Sequence, residues 1–212
     1  MPLKSAVLPL LSSVTPLARD VAAANTVVLR DGERHGDNTD VGGIVAALAE
    51  AGVTSVARAV ILGGGATARS ALAALQLLGC SDPVLVVRSS PDLTLAAAAR
   101  LGVRPSVVAW SSDVAWSPDV AWSPDVLRGC DLLVSTLPAG AADRFATCVG
   151  DVPALLDVVY EPWPTALAAG CGGVVVSGAA MLLHQAAAQV QLMTGATPPV
   201  EAMRAALPVL KA

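Results

Sequence analysis

The sequence predicts an α/β protein built on a doubly wound parallel sheet with helices on both faces. Three observations carry this. Six apolar runs bounded by Gly, Asp or Ser recur along the middle of the chain: RAVILGGG, PVLVVRSS, PSVVAW, CDLLVSTLP, ALLDVVYEP and GGVVVSG. Between several of them lie Ala- and Leu-rich stretches such as TARSALAALQLLG and LTLAAAARLG, the alternation expected of strand and covering helix. Hydrophobic residues make up 54% of the 212 residues and charged ones 14%, with one Tyr and one Phe, so the core is drawn from Ala, Val and Leu, which suits close packing of helix on sheet.

Ahead of the sheet, NTVVLRDGERHGDNTD centres on Asp31-Gly32, a dipeptide suited to a hairpin turn, and VGGIVAALAEAG continues as a helix into the first central strand. After the sixth run, GAAMLLHQAAAQVQLMTG sets Met181, Leu182, Gln185 and Gln189 at helical spacing. Thr194, Gly195 and Pro198-Pro199 end that helix before a short final one. The expected division is 1–40, 41–177 and 178–212, the outer two segments belonging to something other than the central sheet.

One stretch is repetitive. AWSSDVAWSPDVAWSPDV, residues 109–126, is a hexapeptide in three copies and holds three of the four tryptophans. Six residues are two turns of polyproline II, which would put Trp110, Trp116 and Trp122 on one adhesive face. The favoured reading is a duplication absorbed by a loop after the third strand. Pro118 and Pro124 exclude an interior strand or helix, and lengthening a loop costs little.

Charge and cysteine usage exclude several function classes. A net charge of −4 and the lack of any Lys/Arg cluster leave no face for a phosphate backbone, so nucleic acid is not an expected partner. Cys80, Cys130, Cys148 and Cys171 form no C-x-x-C pair and have no nearby His, so no metal site is expected and the thiols read as reduced ones of a cytoplasmic protein. No basic region followed by an apolar run marks a signal peptide. Residues 162–200 lack Asp, Glu, Lys and Arg, yet their prolines and glycines, followed by His184, Gln185, Gln189 and Gln191, fit a buried strand and an amphipathic helix better than a membrane span.

Chemistry concentrates at four places. Gly63-x-Gly65-x-x-Ala68 lies between a strand and a helix, where small residues let the backbone approach a pyrophosphate and the helix N–H groups attract its charge. At the end of the second strand, where a protein binding NAD would carry an acid for the ribose hydroxyls, stand Arg88, Ser89 and Ser90, a set suited to a 2′-phosphate; the expected cofactor is NADP. Asp37, Asn38, Thr39 and Asp40 cluster before a helix. Capping accounts for one of them, and the group as a whole suits a polyhydroxylated substrate. Lys4 is the fourth place, a lone lysine that its surroundings in the sequence do not single out.

Taken in order, MPLK, AANTVV, GDNTDVGG, GGGATARS, VSTLPAGAAD, DVVYEPWPTAL and SGAAMLLHQAAAQ resemble the shikimate dehydrogenase family in its alanine-rich, actinobacterial form. The resemblance implies reversible reduction of 3-dehydroshikimate to shikimate with NADPH, in the pathway to aromatic amino acids. It also implies a Rossmann-type domain beside an N-terminal α/β substrate domain, of which residues 1–40 would be a remnant, and C-terminal helices returning to it. By motif, Lys4 and Asp40 match the catalytic pair, and Asn25, Asp40, Tyr160 and Gln185 match substrate-binding positions. Gly63, Gly64, Gly65, Ala66, Arg88 and Gly178 match cofactor-binding ones.

Departures qualify the resemblance. The family's N-R-T/S-x-x-R/K reads V-R-S-S-P-D, so Val87 replaces the Asn and Asp92 the second basic residue, which weakens the expected preference for NADP. Ala166 stands at a common Pro position. The family's lysine motif, S-x-T-x-P-x-K, follows several strands and a serine pair for the substrate carboxylate, whereas this chain starts inside it. The expectation is therefore a chain shortened at its N-terminus, an internal Met taken for the start codon being the simplest account. Exposed apolar faces would then favour self-association, as in a homodimer. Two alternatives follow: an inactive NADP-binding remnant, and an NAD-dependent quinate/shikimate dehydrogenase.

Overall fold

The strands of the large sheet form because their side chains are buried on both faces. Ile61, Leu85, Val134 and Leu156 point into one apolar cluster, while their neighbours Leu62, Val86, Leu133 and Leu155 point into another on the opposite side. Alternate residues thus leave water in both directions, and the strands read as unbroken apolar runs.

The computed structural model describes residues 3–110 and 120–207. Along the chain come α1 (Leu3–Ala6), β1 (Ser13–Val14), α2 (Pro16–Val21), β2 (Thr26–Arg30), β3 (Glu33–Asp37) and α3 (Asp40–Glu50). The alternating core follows: β4 (Ala59–Leu62), α4 (Ala66–Leu77), β5 (Val84–Val87), α5 (Asp92–Leu101), β6 (Ser106–Ala109), β7 (Val120–Ala121), β8 (Leu132–Ser135), β9 (Ala154–Asp157), α6 (Ala166–Gly170) and β10 (Val174–Ser177). Two helices close it, α7 (Gly178–Thr194) and α8 (Val200–Ala206).

The large sheet has the order β10-β9-β8-β4-β5-β6-β7, and every pairing in it is parallel. All six anticipated strands are present, and their order reverses at β4, the first of them, which places a crevice at the carboxyl ends of β4 and β8. A seventh strand, two residues long, lies within the hexapeptide repeat, whose residues 111–119 are outside the described ones. Val120-Ala121 pairs in parallel with Val108-Ala109 at the sheet edge, a position that tolerates the neighbouring prolines. The reason is aromatic packing just beyond it: Trp110 and Trp122 both meet Phe145 edge-on, with ring centroids 5.7 and 4.8 Å away, drawing the chain back onto the sheet. Trp116, and with it the shared face of three tryptophans, lies outside the described residues.

A separate sheet, ordered β1-β3-β2, precedes the large one. Its hairpin turns at Asp31 and Gly32, whose φ of 53° and 78° are the positive values a two-residue type I′ turn requires. Helix α7 returns to this N-terminal part and lies along α3, their backbones brought close at Gly43, where an added Cβ would meet Gln185 Cβ at 2.9 Å. Among the described residues no helix is long and apolar enough to cross a membrane. All four cysteines are free thiols.

Candidate active site

Helix α4 begins where β4 runs out. Gly63 has φ of +108°, a conformation costly for any residue with a side chain, and a Cβ there would sit 2.5 Å from Thr136 Oγ1. Gly65 forms the N-cap of α4 with no side chain over the helix start, leaving the first N–H groups of the helix open to a ligand. Gly63, Gly64, Gly65 and Ala66 line a cavity of about 500 Å³ with Thr136, Leu137 and Tyr160. The same glycines continue into a second cavity of about 330 Å³ that holds Arg88, Ser89, Ser90 and Trp110.

A third cavity, also about 330 Å³, gathers Lys4, Asn25, Asp40, Tyr160, Gly178 and Gln185 from five separate stretches of chain. It shares Thr67, Val158 and Tyr160 with the glycine cavity, so the two adjoin. The sequence-derived residues thus fall into three contiguous spaces. Gly178, expected beside the cofactor, lies in the Lys4 cavity, where a Cβ would collide with the Val158 carbonyl oxygen.

At the centre, Lys4 Nζ donates to Asp40 Oδ2 at 2.6 Å, with the Asp40 side chain 3% exposed and that of Lys4 22%. Asp40 is the first residue of α3, where the helix dipole favours a carboxylate. Its other oxygen, Oδ1, accepts from Asn25 Nδ2 at 2.8 Å, and the same Nδ2 lies 2.8 Å from Gln185 Oε1 and 2.9 Å from Thr39 Oγ1. Asn25 Oδ1 accepts from the Thr39 N–H at 2.8 Å, so this amide holds the start of α3 at both ends. Of the acidic and amide cluster, only Asp40 lines the cavity. Asn38 Oδ1 accepts from the Val41 N–H in the first turn of α3, and Asp37 Oδ1 accepts from Thr15 Oγ1 and from the Asn38 N–H.

Sequence reasoning passed over several participants. Thr67, Met181, Leu182 and Gln189 also line the Lys4 cavity. Gln189 lies four residues after Gln185, one turn along the same helix face, a spacing evident in the sequence that gave the helix but no site role. Near Arg88, whose guanidinium carbon is 5.9 Å from the Trp110 ring centroid, a second guanidinium, that of Arg144, approaches the same ring at 5.3 Å. Ser90 Oγ donates to Asp92 Oδ1 at 2.5 Å, so an acid stands at the rim of the Arg88 cavity. Beside Val158, burial pushes the Asp157 carboxyl above the usual range, opposed by hydrogen bonds from the Thr165 hydroxyl and the Val159 N–H.

The chain is similar in sequence and fold to known proteins. Residues 178–207 match the family model of the shikimate 5′-dehydrogenase C-terminal domain. The shikimate dehydrogenase (NADP(+)) of Oleidesulfovibrio alaskensis is 36% identical over 97% of this chain and 72% of its own length. Among solved structures, the shikimate dehydrogenase of Mycobacterium tuberculosis superposes with a TM-score of 0.85 at 38% identity, over 98% of this chain and 77% of that one. The Thermus thermophilus shikimate 5-dehydrogenase, determined in complex with NADP(H) and shikimate, gives 0.77 at 30% identity, over 97% of this chain and 75% of that one. With a relative of that identity covered over more than two thirds of its length, the chain belongs to the shikimate dehydrogenase family.

Proposed function

We propose that this chain is an NADP-dependent shikimate dehydrogenase that interconverts 3-dehydroshikimate and shikimate, a step toward aromatic amino acids. The observation that carries this reading is the Lys4–Asp40 pair, 2.6 Å apart, in a cavity that adjoins the glycine turn. The relatives, named as NADP(+) enzymes, support the cofactor and reaction class. Residues 1–40 and 178–212 are read as the substrate side and 41–177 as the dinucleotide side, in line with two separate sheets and the return of α7.

The residues present fit a dinucleotide. Gly63 and Gly65 leave backbone room for a pyrophosphate at the start of α4, and Arg88 with Ser89 offers a cation and a hydroxyl to a 2′-phosphate. When bound, NADPH supplies the hydride. In the reduction, the Lys4 ammonium stands where negative charge grows on the substrate oxygen, stabilises it and donates a proton to it. Asp40 keeps that ammonium oriented and can accept from an adjacent substrate hydroxyl, while Asn25 and Gln185 offer amide groups to further hydroxyls. Val158, Met181 and Leu182 form apolar wall that limits water around the reacting oxygen.

The test is turnover of 3-dehydroshikimate followed by NADPH absorbance, paired with calorimetry of NADPH binding. We expect turnover by the native sequence, and Lys4→Met to lower kcat by about 100-fold or more while NADPH still binds. A native chain that binds NADPH and never oxidises it would instead support the inactive binding module.

A further inference from the structure

Arg69, one turn into α4, is 3% exposed, and among the described residues no carboxylate lies within ion-pair range of it. Burial lowers its pKa, and the nearby Arg100 adds to the effect. A buried cation without an acid persists only where other acceptors receive its hydrogen bonds. Arg69 Nε donates to Val21 O at 2.8 Å and Nη2 to Ala22 O at 3.0 Å, the carbonyls at the C-terminal end of α2.

Its remaining contact leads to the reacting group. Arg69 Nη2 donates to Ser5 Oγ at 2.6 Å, and Ser5 in turn donates to Ala22 O at 3.1 Å. Ser5 adjoins Lys4 on α1, a single turn with no buried residue, so packing within that helix does little to fix the lysine. Beside the ion pair to Asp40, the segment is held by this hydroxyl and by the bond from Ala24 N–H to Lys4 O, 2.8 Å long. The residue after Arg69 serves the opposite partner. Fully buried Ser70 accepts from Asn38 Nδ2 at 3.2 Å, and Asn38 Oδ1 accepts from the Val41 N–H in the first turn of the helix that starts at Asp40.

We propose that Arg69 is a positioning residue for the Lys4–Asp40 pair, which it tethers through Ser5 to the helix that begins at the glycine turn. Ser70 secures the Asp40 side of the same pair. Two adjacent side chains of α4 therefore register both members of the pair against the dinucleotide turn, and a displacement of α4 when that turn is filled is passed on to the ammonium. The proposal rests on the function assigned to Lys4 above.

Two variants isolate the tether. Ser5→Ala removes the link to the lysine segment but leaves Arg69 capping α2; Arg69→Lys keeps the charge and loses the planar fork. Steady-state kinetics, calorimetry with NADPH and the rate of Lys4 acylation by acetic anhydride are measured for each. Lys211 is the chain's other lysine, and fragmentation of the N-terminal peptide separates Lys4 from the Met1 amine, which reacts as well. We expect Ser5→Ala to lower kcat by about tenfold with little change in KM, because small misplacements at a reacting centre are costly. NADPH affinity should hold, and Lys4 should acylate several-fold faster. Lys4 acylation unchanged in both variants would overturn the tether, even if their melting temperatures fell, since α2 capping alone would then explain Arg69. Acylation needs no turnover. A native chain that fails to reduce 3-dehydroshikimate therefore counts against the proposed function, while Lys4 reactivity still decides on Arg69.

Discussion

Lys4 shows how little a single residue announces by itself. Nothing in its sequence surroundings marks it, and only the resemblance across the chain pointed to it; the fold then supplies Asp40 as a partner from 36 positions away. Arg88 stands out in the sequence, because a cation where an acid is usual is a local anomaly, whereas Trp110 and Arg144 do not, because their proximity to it is created by the sheet. We expect Arg88→Ala to raise the NADPH dissociation constant by about tenfold or more while leaving NADH binding nearly unchanged, and Asp92→Asn to tighten NADPH; equal losses for both cofactors in Arg88→Ala would refute the phosphate assignment. Thiols give a second check. Burial pushes Cys130 up to about 11 and raises Cys80, so iodoacetamide at mildly alkaline pH should modify Cys148 and Cys171 and spare the other two.

Among elements, the two-sided burial of the large sheet made its six main strands readable, and turn chemistry and helical spacing gave the hairpin, α3 and α7, while the shortest elements were not legible. Strands β1 and β7 are two residues each and carry no pattern of their own. Helix α2 did leave a trace: Thr15-Pro16 is an N-cap followed by Pro at the first turn, and Thr15 Oγ1 accepts from the Ala18 N–H at 3.4 Å. The packing of α3 on α7 yields a prediction whose sign runs against habit. Gly→Ala inside a helix usually stabilises, but a Cβ at Gly43 would meet Gln185 Cβ at 2.9 Å, Met181 O at 3.0 Å and Gln185 N at 3.1 Å. Gly43→Ala should therefore lower stability by about 1–3 kcal/mol and raise the KM for 3-dehydroshikimate by moving Gln185. An unchanged or higher melting temperature would show that α7 yields without cost.

At the scale of the whole molecule, the C-terminal helices are tied back by charge as well as by packing. Glu50, at the end of α3, accepts from His184 Nε2 at 2.7 Å and pairs with Arg204 Nη2 at 2.9 Å, linking three helices. The His184 hydrogen bond, aided by Arg204, holds the Glu50 carboxyl below its ordinary value despite partial burial. A carboxyl depressed in the folded state adds stability above its unfolded pKa and loses it as pH falls through the folded one. Glu50→Gln should thus cost at most about 1 kcal/mol near neutral pH, the Glu50 side chain being 44% exposed, and should flatten the acid limb of the melting curve. Parallel acid limbs in the two proteins would remove Glu50 from that role.

The placement of aromatic rings has an optical consequence. Trp110, Trp122 and Trp163, the described tryptophans, all pack against the apolar cluster on the Phe145 side of the large sheet, and Trp110 lines the Arg88 cavity. Among the described residues, the Lys4 cavity has a single aromatic ring in its wall, Tyr160. Ultraviolet light absorbed by the described rings is thus re-emitted mainly from the side of the large sheet that bears the Arg88 cavity, so their emission should quench on addition of NADPH and change little on addition of 3-dehydroshikimate. On the proposed assignment of the two cavities, these rings are a built-in spectroscopic label for one ligand and not for the other.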